Sequence, residues 1–441
     1  SHLMTKAIIP FAQATSYPIR PGNLVRPLID GEPAFRCICE AIEAARKNVW
    51  VTVTFMWATF EMPDGRGSTF DILDRVAARG IDVRLIFWRP DPDTWWLRHN
   101  AFWGSTAHTD LLDARRSGVK IRWDRAHPGF CQHQKSWLID AGGENETAFV
   151  GGINLNPHSM VTPGHMGEGH NHDVYIQLAG PAVADVHHNF VQRWNEASER
   201  AMANGRWGTY SETDLPFPDR IPAERGSAVV QIQRTIHPER YFNGQASPGG
   251  MPYDIAAGER SNFDQYCAAI DMAQRSIYIE NQHIDVPAIV DCLRRALLRG
   301  VEVILLTPAG EHAGLRGLGD FDNFLLAGIA GLGANGQREL VHVHAKLMLI
   351  DDVWATAGSC NLHRFSLFGN GEMNVAFFEP NTVHAFRSAL LHEHLDQDTS
   401  GLNDREALRL FRKIAKGNRR RFEAGDPVWQ GLAYELALNT R

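Results

Sequence analysis

The chain carries the same short pattern of histidine, lysine and aspartate once in each half. HQKSWLID at 133–140 returns as HAKLMLID at 344–351. Each copy is followed by an apolar stretch that ends in a glycine turn, GGIN at 151–154 and GSCN at 358–361. An internal repeat of this kind indicates a repeated structural unit. The chain is therefore expected to contain two copies of one unit.

The segments around each copy predict the same order of helices and strands. In the first half they predict helix 33–47, strand 49–55, helix 70–79, strand 81–88, strand 173–179 and helix 182–198. In the second half they predict helix 263–275, strand 276–282, helix 287–299, strand 301–308, strand 374–379 and helix 382–395. Strands that alternate with helices of this length favour an α/β fold, in which helices cover a sheet.

The length of 441 residues is comfortable for two domains. We expect an N-terminal lobe at 5–199, a linker at 200–227 rich in glycine, proline and charge, and a C-terminal lobe at 228–441. The C-terminal lobe is expected to end in a helical tail at 403–422. At the other end of the chain, Ser1-His2-Leu3 resembles a cloning scar.

The spacing within the repeat predicts which side chains meet. Along a strand, side chains alternate between faces, so His133 and Lys135 would point the same way and Asp140 the other way. Each His/Lys pair is then expected to share a site, while each aspartate stabilises the fold from behind. The same spacing holds in the second copy for His344, Lys346 and Asp351.

This set of residue types suits a phosphodiester. Two lysines neutralise non-bridging oxygens, and the amides of Asn154 and Asn361 donate to them. Imidazole titrates near neutral pH, at about 6.5, so one ring is able to attack phosphorus while the other protonates the leaving alcohol. One copy alone would fit an ordinary half-exposed strand end, but two matched copies favour a site. Each half holds only one such histidine, so the site is expected between the halves.

Two acidic residues occupy comparable places after the glycine turns. Asp173 and Glu372 are each expected to orient the histidine of their own half through its second ring nitrogen. Gly152 and Ser359, the second residues of the two turns, are expected to have a structural role.

The doubled HxKxxxxD pattern with its Gly-Gly/Ser-x-Asn turns resembles the phospholipase D superfamily, and most closely true phospholipases D. The likeness extends over most of residues 27–395. Its other segments are IYIENQHI at 277–284, AFVGGINL at 148–155, HDVYIQLAGPAVADVHHNFVQRWN at 172–195 and VHAKLMLIDD at 343–352.

The resemblance implies two pseudo-symmetric α/β/α sandwich lobes, each with a mixed sheet and with one site at their interface. It implies a phosphohistidine intermediate and neither a metal nor a cofactor. His133 would be the nucleophile and His344 the general acid and then base, an assignment that the near-symmetry makes reversible. The chain departs from the family pattern at 361–366, where Arg364 comes one place early and Phe365 stands where arginine is expected.

The expected function is cleavage of the headgroup-side phosphodiester of a phospholipid, by hydrolysis or transphosphatidylation. A nuclease or small-phosphodiester hydrolase with the same site is the alternative, although a net charge of −7 argues against nucleic acid as a partner. A cardiolipin-type lipid synthase ranks third, because the membrane helices usual before that domain are missing. A degenerate, non-enzymatic scaffold is disfavoured by the complete motifs.

A monomer is sufficient for one complete site. Transient membrane contact is expected if the aromatic stretch 87–103 is an interfacial loop, and a loop packed on the core is equally compatible with it. The sequence has no apolar run of transmembrane length, so a cytoplasmic location is expected, or secretion if a leader was removed. The histidine-rich stretch 158–173 favours a lid over a metal site.

Overall fold

The computed structural model describes residues 10–90, 101–102, 106–198 and 214–438. Each half is built on a mixed β-sheet. The strands of the first half are β1 Arg20–Ile29, β2 Asn48–Thr52, β3 Met56–Trp57, β4 Asp82–Trp88, β5 Ala101–Phe102, β6 Lys120–Asp124, β7 Lys135–Ile139, β8 Thr147–Gly151, β9 Asn171–His172 and β10 Val174–Ala179. Those of the second half are β11 Ala228–Ile236, β12 Glu259–Arg260, β13 Ser276–Glu280, β14 Glu302–Leu306, β15 Phe324–Leu332, β16 Arg338–Val343, β17 Leu347–Ile350, β18 Trp354–Gly358, β19 Glu372–Phe378 and β20 Ala433–Glu435.

Helices flank both sheets. They are α1 Gly31–Glu43, α2 Thr69–Ala77, α3 Thr106–Ala114, α4 Val183–Asn195, α5 Ser261–Met272, α6 Pro287–Leu298, α7 Arg364–Phe368, α8 Pro380–Leu395 and α9 Asp404–Glu423. Short 3₁₀ turns occur at Pro157–Ser159, Ile255–Ala257 and Ala313–Asp320. In the described parts of the chain, no helix combines the length and the apolar character needed to cross a bilayer.

The two sheets have the same strand order. The first runs β1-β10-β8-β7-β2-β4-β6 and the second β11-β19-β18-β17-β13-β14-β15. In both, the first five strands are antiparallel neighbours and the last three are parallel. The predicted α/β class with two pseudo-symmetric lobes is confirmed.

The halves meet along one shared junction. β1 and β11 pair antiparallel, with Arg20 opposite Val230 and Asn23 opposite Ala228, so the two sheets join edge to edge. A central apolar cluster takes side chains from both halves, including Ile176 of β10 and Val375 of β19. Separate clusters lie under α1 and α2 in the first half and under α5 and α6 in the second. The two copies of the sequence motif therefore lie in different halves, one on each side of the junction.

The two motif aspartates close a turn in each half. Asp140 has a φ of 58° and Asp351 a φ of 55°, the left-handed region that aspartate tolerates better than most residues. The Asp140 carboxylate accepts hydrogen bonds from the backbone N–H groups of residues 46–48, at 2.9, 2.7 and 3.3 Å. Asp351 does the same for the N–H groups of residues 274–276. Both carboxylates thus fasten the start of the adjacent strand and stay away from the histidines.

Replacing Asp140 with alanine is expected to lower the free energy of unfolding by about 2–3 kcal/mol, because a charged acceptor of three backbone bonds is lost. Denaturant unfolding measures the change. Glu144→Ala, at an exposed residue of the following turn, is the matched control and should leave stability unchanged. Equal effects from the two substitutions would contradict this role for Asp140.

Residues 214–227, the described part of the predicted linker, form neither helix nor strand. In the aromatic stretch 87–103, Trp88 is buried at the end of β4. Trp95, Trp96 and Trp103 lie outside the described residues, so the interfacial loop stays a prediction.

Candidate active site

The two catalytic histidines proposed from the sequence lie just before their strands rather than within them. The backbone N–H of His133 donates to the carbonyl of Gly371, at 2.8 Å, and that of His344 donates to the carbonyl of His172, also at 2.8 Å. β7 begins only at Lys135, and β17 only at Leu347. The alternation of side chains along a strand therefore does not decide which way these histidines point. Each histidine is instead held by a backbone bond across the junction to the other half.

The carboxylates pair with the histidines of the opposite half, so the expected pairing within each half is wrong. Nδ1 of His133 lies 2.8 Å from Oε1 of Glu372, and Nδ1 of His344 lies 2.6 Å from Oδ2 of Asp173. The physical reason is the backbone bond just described, because it reaches the residue that immediately precedes each carboxylate. With Nδ1 engaged, Nε2 is the nitrogen that each ring offers to a substrate.

The turn residues Gly152 and Ser359 touch these carboxylates. The hydroxyl of Ser359 donates to Oε1 of Glu372, at 2.8 Å. A Cβ at Gly152 would lie 2.7 Å from Oδ1 of Asp173, too close for any side chain there. Oδ1 of Asp173 instead accepts the N–H of Val174, at 2.8 Å. The two halves thus brace the two carboxylates by different contacts.

Both lysines are buried. Nζ of Lys346 contacts Nδ1 of His344 at 3.0 Å and Oε1 of Gln282 at 3.4 Å, and also donates to the His344 carbonyl. Among the described residues, Nζ of Lys135 has no hydrogen-bond partner, although the side chain is almost fully enclosed. Burial lowers the pKa of Lys135 to about 8 and that of Lys346 to about 7. Such enclosed ammonium groups favour the binding of an anion between them.

The two asparagines complete the arrangement. The side-chain oxygens of Asn154 and Asn361 are buried and lack hydrogen-bond partners among the described residues. The amide nitrogen of Asn361 lies 3.5 Å from Oε1 of Gln282. Sequence reasoning had not assigned a role to Gln282, although it lies in the quoted segment 277–284. Its carbonyl oxygen links Lys346 to Asn361.

The rings are set to be neutral before a substrate arrives. Burial lowers the pKa of His133, as do the nearby lysines, although Glu372 partly opposes this. Burial, Lys346 and Lys135 together hold the pKa of His344 well below its usual value. Burial alone would raise the pKa of Glu372, but His133 and Lys135 outweigh it and keep that carboxyl ionised.

Aromatic side chains lie close to the motifs along the chain, with Phe130 three residues before His133 and Phe365 four residues after Asn361. Phe365 is 38% exposed, and its ring meets that of Phe130 edge to face at 5.5 Å and that of His363 at 5.0 Å. Arg364, expected one position later, lies over the Phe365 ring at 5.0 Å. Phe365 thus places a partly exposed apolar ring at the position where the resemblance predicts arginine, with the Arg364 guanidinium over it.

Comparisons with known proteins identify the family of the chain. The family model "Cardiolipin synthase, PLD-like domain" matches residues 38–194 and 266–393, more than half of the chain, and the model "Phospholipase D" matches residues 168–284. Cardiolipin synthase A of Pseudomonas entomophila is 27% identical over 81% of this chain and 66% of its own length. Phospholipase D alpha 2 of Oryza sativa subsp. japonica is 22% identical over 94% of this chain and 69% of its own.

A solved structure shares the fold. The phosphatidylserine synthase of Haemophilus influenzae Rd KW20 superposes with a TM-score of 0.55 at 12% identity, over 92% of this chain and 95% of that one. The fold, the doubled motif and the family match lead to one assignment: the chain belongs to the phospholipase D superfamily of enzymes.

Proposed function

We propose that the protein transfers the phosphatidyl group of a phospholipid in two steps, first to one of its own histidines and then to an alcohol or to water. The observation that carries this proposal is the crossed pair of histidine–carboxylate contacts around two buried lysines. One ring is then available as a nucleophile and the other as a proton carrier, on opposite sides of an anion-binding space.

In the first step, Nε2 of His133 would form a bond to phosphorus as the bond from phosphorus to the headgroup oxygen breaks. His344, which would take up a proton when the phosphate anion binds beside it, would hand that proton to the headgroup oxygen. The ionised Glu372 stabilises the positive charge that develops on the His133 ring. Lys135, whose ammonium group lacks a partner in the described structure, would meet the phosphate oxygens, with Asn154 and Asn361 as further contacts.

In the second step, neutral His344 would remove the proton of the incoming hydroxyl, and its oxygen would attack phosphorus and release His133. Water gives phosphatidic acid, and an alcohol gives a new phospholipid. The same ring first gives and then takes the proton, so His344 ends the first step in the neutral form that the second step needs.

Support for a lipid substrate comes from the relatives. Their names include both cardiolipin synthases and phospholipases D. The synthase alternative, ranked third from the sequence, therefore stands beside the hydrolase. The synthase was ranked third because the sequence shows no N-terminal membrane helices. The chain matches only 66% of the first relative, so that absence carries no weight. Hydrolysis and transfer differ only in the second-step acceptor.

The test uses vesicles of phosphatidylcholine, phosphatidylethanolamine and phosphatidylglycerol with a few per cent ethanol, with products identified by mass spectrometry. Phosphatidylethanol shows transfer to an alcohol, phosphatidic acid shows hydrolysis, and cardiolipin shows phosphatidylglycerol acting as acceptor. The headgroup alcohol that is released, choline, ethanolamine or glycerol, identifies the donor. Parallel reactions with single-stranded DNA and a small phosphodiester test the alternative. Turnover of these alone, with every lipid intact, would overturn the proposal.

The pH dependence of kcat/KM is expected to be bell-shaped and displaced to low pH. The attacking ring must be neutral and burial lowers the pKa of His133, so the acid limb should lie below pH 6.5. His344 must take up a proton for the first step and the lysines must be charged to bind phosphate, so activity should fall as pH rises, at the latest through about 7 and about 8, the pKa values of Lys346 and Lys135. Bound phosphate favours the charged form of the lysines. The alkaline limb of kcat should therefore lie at higher pH than that of kcat/KM. A kcat/KM that still rises above pH 9 would contradict this assignment.

A further inference from the structure

A second cluster of polar side chains lies buried next to the site. Asp30, His165, His172 and Glu393 approach one another from both halves of the chain, and we call them the buried cluster. The two histidines belong to the stretch for which the sequence favoured a lid. Their side chains are fully enclosed, as is that of Asp30, and Glu393 is only 5% exposed.

The four ligand atoms form a closed ring in which nitrogen and oxygen alternate. Oδ1 of Asp30 lies 2.8 Å from Nδ1 of His172 and 3.1 Å from Nε2 of His165. Oε1 of Glu393 lies 3.1 Å and 2.7 Å from the same two nitrogens. Four ligands of a tetrahedral ion at about 2.0–2.1 Å lie about 3.3 Å apart, so these separations need little expansion to hold one.

Hydrogen bonds alone leave the polar atoms of this four-membered cluster only partly paired. Each of the two nitrogens carries at most one proton, yet each faces two carboxylate oxygens. Oδ2 of Asp30 and Nδ1 of His165 are also buried without hydrogen-bond partners among the described residues. Buried polar groups normally have partners, so an enclosed set with such vacant positions points to a further ligand.

The surroundings of His172 are those of a metal-binding histidine. Its other nitrogen, Nε2, lies 2.7 Å from Oε1 of Glu280. The second oxygen of Glu280 contacts Nε2 of His394 at 2.7 Å and accepts the hydroxyl of Tyr278 at 2.6 Å. A carboxylate that receives the second N–H of a metal-bound imidazole fixes its tautomer and orientation. Glu280 is itself held in place by two further side chains.

From this geometry we infer that the buried cluster binds one divalent transition-metal ion of the zinc class. Two imidazoles and two carboxylates form a tetrahedral N/O set, and the charges of the two carboxylates balance that of the ion. Asp30 and both histidines belong to the first half and Glu393 to α8 of the second, so the ion would bind the halves together.

An ion in the buried cluster would also affect the active site. The carbonyl of His172 accepts the N–H groups of His344 and Ala345, at 2.8 and 3.0 Å, and the next residue is Asp173. Fixing His172 would therefore fix the segment that orients His344. The ion would position His344 without contacting the substrate.

The test is a metal analysis of the whole protein, purified without chelators and without metal-affinity resin, by inductively coupled plasma mass spectrometry. We expect close to one equivalent of zinc per chain. After the metal is stripped with a soluble chelator, titration with Co²⁺ should give the strong visible absorption of a tetrahedral site. His165→Ala and Glu393→Gln should each weaken Co²⁺ binding at least tenfold.

His158→Ala, at an exposed histidine of the same stretch, is the matched control and should bind Co²⁺ normally. His133→Asn should also bind it, since the active site lies outside the cluster. Wild-type protein that is folded, holds no metal and gives no tetrahedral Co²⁺ spectrum would overturn the inference, whatever the variants do. Loss of the spectrum in His133→Asn with retention in His165→Ala would also overturn it.

Discussion

His133→Asn is expected to lower kcat/KM for phospholipid by more than about 10⁴-fold, because the covalent route loses its nucleophile. Asparagine is the substitution of choice, since its amide nitrogen lies where Nδ1 of the ring was and is able to donate to Glu372. The buried carboxylate therefore keeps a donor, and Ser359 remains bonded to it. The melting temperature should change little. Initial rates on mixed vesicles and thermal unfolding measure the two quantities.

His392→Asn, at an exposed histidine of α8, serves as the matched control and should retain full activity. A folded His133→Asn protein with activity within tenfold of wild type would contradict the covalent route through this residue. It would bring a different nucleophile into consideration.

Lys135→Met is expected to reduce kcat/KM by about 10³-fold while raising stability. Burial lowers the pKa of Lys135 from 10.5 to about 8, so below pH 8 the folded state holds an ammonium group that the unfolded chain solvates better. This penalty is fully present at pH 7 and disappears as pH rises toward 10. Methionine removes it, which should add about 1–3 kcal/mol to the free energy of unfolding at pH 7.

Opposite changes in activity and stability distinguish a phosphate-binding lysine from a structural one. Lys47→Met, at an exposed position, should change neither quantity. Denaturant unfolding at pH 7 and pH 10 gives the sharpest comparison, since the gain from Lys135→Met should shrink at the higher pH. A Lys135→Met protein that is both inactive and strongly destabilised would show that the ammonium group supports the fold.

Most of the architecture could be predicted from the sequence, because the periodicity of buried elements is a local signal. The helix predicted at 263–275 is observed at 261–272, and the strand predicted at 301–308 at 302–306. The two strands that join the sheets, β1 and β11, were not predicted. β1 contains two prolines and a glycine, which are unusual within a strand. Pro21 and Gly22 lie where the pairing with β11 shifts register between Arg20 and Asn23.

The residues of the candidate site could also be predicted, but their partners could not. His133 and Glu372 come together because the backbone of residue 133 bonds to Gly371 across the junction. Spacing along one half contains no information about such a contact. The sequence does not show whether Asp173 pairs with His344 or with His133.

The buried cluster was missed for the same reason. Its histidines were visible as a histidine-rich stretch, but Asp30 and Glu393 lie far away in the sequence and carry no motif. Only the junction between the halves brings them together. The same applies to Gln282, whose contact with Lys346 depends on the end of β13 lying beside the second motif.

The most direct test of the two-step route is to locate the covalent adduct. The substrate is phosphatidyl-p-nitrophenol, whose leaving group needs no proton, and the enzyme is His344→Asn, which lacks the base for the second step. We expect a burst of p-nitrophenol and a phosphatidyl adduct on the peptide that contains His133, found by mass spectrometry after an alkaline quench. Release of p-nitrophenol with an unmodified His133, or with the adduct on another residue, would contradict it.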